Sequence, residues 1–239
     1  MTEERSAKIS AFIEQAQSVL DWNMMKYAGG MLPFADQKEI DNQVGYTKSE
    51  AQEIIDGIND RNAREVLDGV CDTFVTATFM IPLTRKIRED IGDHAKLLKA
   101  TRHAESWAGS LPTLDKHGAK QLLEKLAISV ITDASDIVST MKLCYLLDVL
   151  GIDVLGAIEA VMKSNWSKYP LESALKRHAD DECRWIEANR NVTDVRHITF
   201  SSCLIFRSQM GEGKIMKPST FEDPVFNEQD VSFLEKILF

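Results

Sequence analysis

Residues 47–55 (TKSEAQEII) and residues 65–72 (EVLDGVCD) are the two segments that decide the fold of this chain. In both segments, carboxylates recur three residues apart among apolar residues, which places them on one side of an α-helix. The second segment adds a carboxylate one turn further along. The side chains concerned are those of Glu50, Glu53, Glu65, Asp68 and Asp72. We therefore expect a helical body with acidic side chains at the border of its packed face.

The composition is that of an ordinary globular protein. The chain has 239 residues, of which 44% are hydrophobic and 27% charged, so it can bury a sizeable core. The formal net charge of −9 argues against a nucleic acid polymer as partner. The four cysteines are dispersed without a CxxC pair, which predicts reduced thiols. We see no apolar run of membrane-spanning length and no signal peptide, and therefore expect a soluble cytoplasmic protein without membrane contact.

Helical periodicity dominates the first three quarters of the chain, and β-rich segments follow. The predicted fold class is mainly α, a helical bundle with a small C-terminal β-hairpin. We assign residues 1–190 to the helical domain and 191–239 to a hairpin and tail packed on it. Thr47, with Glu50 three residues later, predicts a capping box that begins the second helix. Helices are expected at about residues 5–27, 47–58, 63–81, 120–150, 151–163 and 172–189, and strands at 195–200 and 202–207.

The two acidic helices are joined by a short polar turn at residues 59–62, which predicts an antiparallel helical hairpin. Side by side, the helices would bring four or five carboxylates into a small volume, which is costly unless divalent cations neutralise them. Carboxylate oxygens are preferred ligands of Mg²⁺, with Mn²⁺ as an alternative. A solvated acidic face is the commoner explanation for one such helix, but two in one hairpin favour a metal site. Asp72 has the further alternatives of capping a helix or pairing with an arginine.

The spacing Glu50-x-x-Glu53 followed by Glu65-x-x-Asp68 resembles the metal signature of the all-α nucleoside-triphosphate pyrophosphohydrolases, the MazG-like and phosphoribosyl-ATP pyrophosphohydrolase superfamily. Ser49 stands where many members have a further glutamate. Three more segments carry the resemblance. They are residues 151–153 (GID) and 164–168 (SNWSK), similar to one helix of the phosphoribosyl-ATP pyrophosphohydrolase-like branch, and 213–218 (GKIMKP), similar to a tail of its phage members. Residues 84–145 would be an insertion relative to compact members.

The resemblance implies Mg²⁺-dependent hydrolysis of a nucleoside or deoxynucleoside triphosphate to the monophosphate and pyrophosphate, by attack of a metal-activated water on the α-phosphate. Glu50, Glu53, Glu65 and Asp68 would hold the metal, and Glu50 or Glu53 would be the general base. The resemblance further implies a homodimer or homotetramer in a bacterial or phage-infected cytoplasm. The substrate-binding residues that we assign are Asp72, Asn165, Lys168, Lys214 and Lys217. Ordinary surface exposure is the competing interpretation for the three lysines.

Two other functions stay open. One is a true phosphoribosyl-ATP pyrophosphohydrolase, which has no need of the insertion or of the hairpin. The other is a catalytically silent helical protein that senses nucleotides or binds a partner, which has no reason to keep a costly acidic quartet. Asp133 and Asp136 form another acidic pair three residues apart, which suits a helix flank or a subunit contact better than the metal site or the orientation of a base. The five histidines lack zinc-ligand spacing, and no P-loop, GxSxG or GxGxxG motif occurs.

Overall fold

The computed structural model of the protein describes residues 3–26, 37–83, 90–208 and 215–239. These residues are mainly helical and contain one small antiparallel hairpin, so the predicted fold class is confirmed. Within them lie nine α-helices: α1 Glu3–Lys26, α2 Gln37–Asn59, α3 Ala63–Leu83, α4 Asp90–Ala108, α5 Lys116–Thr132, α6 Ile137–Val149, α7 Val154–Trp166, α8 Ala179–Arg190 and α9 Glu228–Leu238. The strands are β1 Val195–Phe200 and β2 Cys203–Ser208, and Glu172–Ala174 forms a 3₁₀ turn.

Backbone contacts divide the chain into two compact units. The helical unit comprises the described residues within Met1–Leu20, Leu32–Ala160 and Val225–Phe239. The hairpin unit comprises those within Asp21–Met31 and Val161–Pro224. The predicted division at residue 190 stays a prediction, and the contact units group residues 161–190 with the hairpin.

The core of the helical unit is a ring of four helices, α2, α3, α6 and α5. α2 packs against α3 and α5, and α6 packs against the same two helices, so each member has two neighbours. α3 supplies much of the core because most of its side chains are apolar and buried, among them Leu67, Phe74 and Phe79. α4 packs along α6, and α9 packs against α3 and α5. The acidic helices α2 and α3 are thus held on both sides by other helices of the same unit.

α3 is long and apolar enough to cross a membrane when judged by length and composition alone. No apolar run of that length was expected from the sequence. In the structure, 83% of the stretch is buried within the protein, as in the core helix of a folded unit.

Helix α2 begins at Gln37, well before the predicted start at Thr47. Thr47 is buried inside the helix, and its hydroxyl donates a hydrogen bond to the backbone oxygen of Gln43 at 3.0 Å. The predicted capping box of Thr47 and Glu50 is therefore wrong. A threonine hydroxyl can bond to the preceding turn of a helix as well as to a free helix end, and the sequence pattern does not separate the two.

The apolar stretch predicted as one helix over residues 120–150 forms two helices, α5 and α6. Between them, Asp133 Oδ1 accepts hydrogen bonds from the backbone N–H and the hydroxyl of Ser135. Asp136 is the N-cap of α6 and accepts from two backbone N–H groups of its first turn. These local bonds compete with helix continuation, whereas the apolar periodicity runs through the break. Both aspartates thus have the helix-flank role that the sequence left open.

In the hairpin unit, β1 and β2 pair antiparallel from Val195 opposite Ser208 to Phe200 opposite Cys203. Ser201 and Ser202 join them with φ angles of 48° and 65°, the left-handed geometry of the two-residue turns that suit the twist of a hairpin. α8 packs on β1. The buried apolar side chains between them include those of Ile186, Leu204 and Phe206.

Two predictions about the last third of the chain are wrong. The helix expected at residues 172–189 is a short 3₁₀ turn followed by α8, which begins only at Ala179. α9 lies in the segment that was predicted as a tail. It is capped by Asn227, whose Oδ1 accepts from the backbone N–H of Gln229, and it buries Leu234 and Leu238.

Candidate functional site

α2 and α3 form the antiparallel hairpin that the short turn predicted, and two glycines let their backbones approach closely. At Gly69, a Cβ atom would lie 3.1 Å from the backbone nitrogen of Ile54 and 3.2 Å from the backbone oxygen of Glu50. At Gly57, nearer the turn, a Cβ atom would lie 2.9 Å from the backbone nitrogen of Val66. Only a residue without Cβ fits such contacts without displacement. The close approach brings the acidic edges of the two helices together.

The acidic side chains of this hairpin are partly buried and lie within each other's electrostatic field. Burial is the largest cause that raises the pKa of Glu50, from 4.5 to about 8, and the charges of Asp72, Glu53 and Asp68 act in the same direction. Burial also raises the pKa of Glu53, together with the charges of Asp68 and Glu65. The five predicted acidic residues therefore form one interacting group, which we call the acidic cluster.

Glu50 and Glu53 are joined by a side-chain hydrogen bond. The bond raises the pKa of Glu50 and opposes the rise at Glu53. With a pKa of about 8, Glu50 is mostly protonated at neutral pH in the metal-free cluster. Like charges that are held together in a partly dry site have this effect.

Glu65 also stabilises the start of α3. Asn62 Oδ1 accepts a hydrogen bond from the backbone N–H of Glu65 at 3.2 Å, and Asn62 Nδ2 donates to Glu65 Oε2 at 3.0 Å. Asn62 thus caps the N-terminus of α3, whereas the sequence analysis predicted a cap at Thr47, in the preceding helix. Glu65 would have to share its carboxylate between this cap and a cation.

The donor chemistry of the acidic cluster suits a divalent cation, because hard cations prefer several carboxylate oxygens. One carboxylate oxygen of Asp68, Oδ1, is buried within the site. Across the described residues, no three acidic, histidine or cysteine side chains are arranged as a ready-made metal site. Binding a cation in the acidic cluster would therefore require these side chains to change their orientation.

Asn165 and Lys168 lie together in the hairpin unit, as their spacing predicted. Asn165 is buried, and its Oδ1 accepts a hydrogen bond from Lys168 Nζ at 2.6 Å. Its backbone oxygen accepts from Trp22 Nε1 at 2.8 Å. Lys168 Nζ also lies 5.3 Å from the centroid of the Trp22 ring and 6.0 Å from that of Phe221, within cation–π range.

Lys217 contacts the same aromatic ring, that of Phe221. Its Nζ is 4.1 Å from the centroid of Phe221 and 3.7 Å from Asp223 Oδ1. Phe221 is thus an aromatic contact shared by Lys168 and Lys217, and nothing in the sequence analysis singled it out, since an isolated phenylalanine in an irregular segment carries no periodic signal. Lys214, the remaining predicted lysine, lies outside the described residues.

Glu182 anchors the segment that carries Lys217. It is fully buried, and its two carboxylate oxygens accept from the backbone N–H of Ser219 at 2.5 Å and from the Ser219 hydroxyl at 2.9 Å. Arg177 Nη1 lies 3.3 Å from Glu182 Oε2 and supplies a compensating charge. The sequence analysis missed this residue, because one glutamate on an amphipathic helix gives no sign that it points inward.

Replacing Glu182 by Ala is expected to lower the free energy of unfolding by about 3 kcal/mol, because it removes a buried acceptor from Ser219 and from Arg177. Urea denaturation measures this loss, and amide hydrogen exchange at Ser219 should accelerate strongly. Glu172→Ala, at an exposed position of the same unit, is the matched control and should change stability by less than about 0.5 kcal/mol. Equal effects of the two substitutions would contradict the anchoring role.

Comparison of the chain with protein-family models, with curated protein sequences and with solved structures found no match. The resemblance to the all-α nucleoside-triphosphate pyrophosphohydrolases therefore stays a prediction that rests on the quoted motifs.

Proposed function

We propose that this protein is a Mg²⁺-dependent nucleotide pyrophosphohydrolase, which converts a nucleoside or deoxynucleoside triphosphate into the monophosphate and pyrophosphate. The observation that carries the proposal is the acidic cluster on the closely packed α2–α3 hairpin, in which Glu50 has a pKa of about 8. Such a concentration of carboxylates opposes folding of the metal-free protein, and a site with strongly shifted pKa values is more often functional than structural.

Glu50, Glu53, Glu65 and Asp68 are the residues that would hold Mg²⁺, with Mn²⁺ as an alternative. The bound cation would supply charge neutralisation for the phosphates and Lewis-acid assistance to the departing pyrophosphate. Glu50 or Glu53 would be the general base, because a carboxylate whose pKa is raised is the stronger proton acceptor once it is ionised. Asp72, whose charge also acts on Glu50, would help to hold the substrate.

The resemblance also assigns substrate contacts to Asn165, Lys168, Lys214 and Lys217. In the hairpin unit, Lys168 and Lys217 share the Phe221 ring, and a pair of neighbouring cations suits a phosphate group. By the same resemblance, the protein would act as a homodimer or homotetramer in the cytoplasm of a bacterium or of a phage-infected cell.

The proposal is tested by measuring pyrophosphate release from a panel of ribo- and deoxynucleoside triphosphates, with Mg²⁺, Mn²⁺ or EDTA. We expect metal-dependent release from at least one nucleotide, and its loss in the Glu53→Gln variant. Glu14→Gln, on the exposed side of α1, is the matched control and should leave the rate unchanged.

The panel also separates the alternatives. Release from phosphoribosyl-ATP alone would identify the biosynthetic enzyme instead. Nucleotide binding without release, in a protein that responds to Mg²⁺, would favour the catalytically silent sensor. A protein that neither binds nucleotides nor responds to Mg²⁺ would overturn the proposed function.

A further inference from the structure

A second polar site lies in the helical unit, in a cleft of about 150 Å³ between the start of α1 and the C-terminal ends of α4 and α6. This volume is about ten times the roughly 15 Å³ that one water molecule requires on the same measure. Two ion pairs line the cleft. Arg5 Nε lies 3.0 Å from Glu105 Oε1, and Lys8 Nζ lies 2.9 Å and 2.8 Å from the two carboxylate oxygens of Asp148.

Tyr145 lines the same cleft and has a buried hydroxyl that makes no hydrogen bond to any of the described residues. The residue is only 2% exposed, and its ring packs on Phe12 with 4.8 Å between ring centroids. Burial raises the pKa of Tyr145, and the charges of Glu105 and Asp148 add to the effect, so both carboxylates lie near the hydroxyl. A buried hydroxyl without a partner is rare in folded proteins and points to a group that the cleft receives.

In both ion pairs of the cleft, the acidic side chain is more buried than the basic one. Glu105 and Asp148 are the more buried members of the two ion pairs, with side-chain exposures of 15% and 24%. Their cationic partners are more exposed, Arg5 at 52% and Lys8 at 33%. The deeper part of the cleft therefore presents two carboxylates, with the buried Tyr145 hydroxyl near them, and the outer part presents cations.

We propose that this cleft binds a small zwitterion of the amino-acid class, with its ammonium group inward and its carboxylate outward. An ammonium group has three donors, which would meet the carboxylates of Glu105 and Asp148 and, once the ligand has entered, the Tyr145 oxygen. The carboxylate would meet Arg5 and Lys8 at the opening, where charge-assisted hydrogen bonds are strong. Binding here is independent of the acidic cluster and of the proposed hydrolysis.

The test measures binding of L-alanine to the full chain by calorimetry and by the shift of the unfolding temperature, with ethylamine and propionate as probes that carry one charge each. We expect saturable binding of L-alanine and weaker binding of both single-charge probes. Tyr145→Phe keeps the packed ring and removes only the hydroxyl. It should weaken L-alanine binding at least about 10-fold while leaving the ligand-free protein at least as stable as before, because the hydroxyl is buried without a partner among the described residues.

Tyr46→Phe is the matched control, since Tyr46 is 52% exposed on α2 and does not line the cleft; it should bind L-alanine like the unmodified protein. Asp148→Asn, which weakens a deep acceptor, should also reduce binding. Absence of saturable binding, or equal binding by the Tyr145→Phe variant, would show a cleft filled by water only and overturn the proposal. Ethylamine binding as tightly as L-alanine would overturn the assignment of a zwitterion.

Discussion

In the metal-free protein at pH 8, Glu50→Gln is expected to raise the free energy of unfolding by about 2 kcal/mol. With Mg²⁺ present, the same substitution is expected to lower pyrophosphate release on the order of 10³-fold. The gain in stability arises because burial and the charges of Asp72, Glu53 and Asp68 disfavour the ionised carboxylate. The full shift of the Glu50 pKa, from 4.5 to about 8, would give a larger figure, which solvent screening of a partly exposed side chain reduces. The loss of activity arises because glutamine can neither accept a proton nor ligate a cation with charge.

The stability effect has a defined pH dependence. A carboxyl group whose pKa is raised in the folded state binds more protons there than in the unfolded chain, so its contribution to stability falls as pH rises. For Glu50 the fall lies between about pH 4.5 and pH 8. The difference between Glu50→Gln and the unmodified protein should therefore be near zero at the low end of this range and largest at its upper end.

Urea denaturation in EDTA across this pH range measures the difference, with Glu14→Gln as the control that should show none. Added Mg²⁺ should stabilise the unmodified protein more at pH 8 than at pH 6, because Glu50 must lose its proton before it can bind the cation. A Glu50→Gln variant that is less stable than the unmodified protein at pH 8 would contradict this account of the cluster.

Gly69→Ala is expected to lower the free energy of unfolding by about 2 kcal/mol and to weaken the response to Mg²⁺. Its Cβ would lie 3.0–3.2 Å from atoms of Ile54 and from the backbone oxygen of Glu50, so α3 must move away from the acidic edge of α2. Gly57→Ala should destabilise the protein at least as much, because its Cβ would meet the backbone nitrogen of Val66 at 2.9 Å. It lies nearer the turn and should disturb Mg²⁺ binding less.

Gly45→Ala provides the control on the same helix. Apart from its own helical turn, no atom of the described residues lies within 4 Å of the position that its Cβ would take, so alanine should stabilise α2 by up to about 1 kcal/mol. Thermal or urea unfolding of the three variants measures the ranking. Stabilisation by Gly69→Ala of the same size as by Gly45→Ala would show that the backbones of α2 and α3 are free to separate.

The helical body and the hairpin could be predicted from the sequence because each has a local periodic pattern. The ends of the helices were harder to predict, since side chains that bond to the backbone act over two to four residues without disturbing that pattern. Thr47 bonds inside α2 where a cap was predicted, and Asp133 and Asp136 divide a helix that looked continuous. α9 was missed because it follows an irregular segment and buries only a narrow stripe.

In the candidate site, too, some features follow from the local sequence and others do not. Residues 50–72 carry their carboxylates at helical spacing across one short turn, so their gathering on a hairpin followed from local geometry. Phe221 contacts both Lys168 and Lys217, and the buried Glu182 accepts a hydrogen bond from Ser219. These contacts join residues that are far apart in the chain. No spacing rule predicts such contacts.

The sequence by itself determined the mainly helical class, the acidic hairpin and the β-hairpin, because helix and strand periodicity and short turns are encoded by neighbouring residues. Only the tertiary structure decided how closely α2 and α3 approach, and hence that Glu50 keeps a proton near neutral pH. It also decided that Tyr145 has a buried hydroxyl between two carboxylates from different helices. Burial and long-range charge set both properties, and they depend on residues that meet only after the chain has folded.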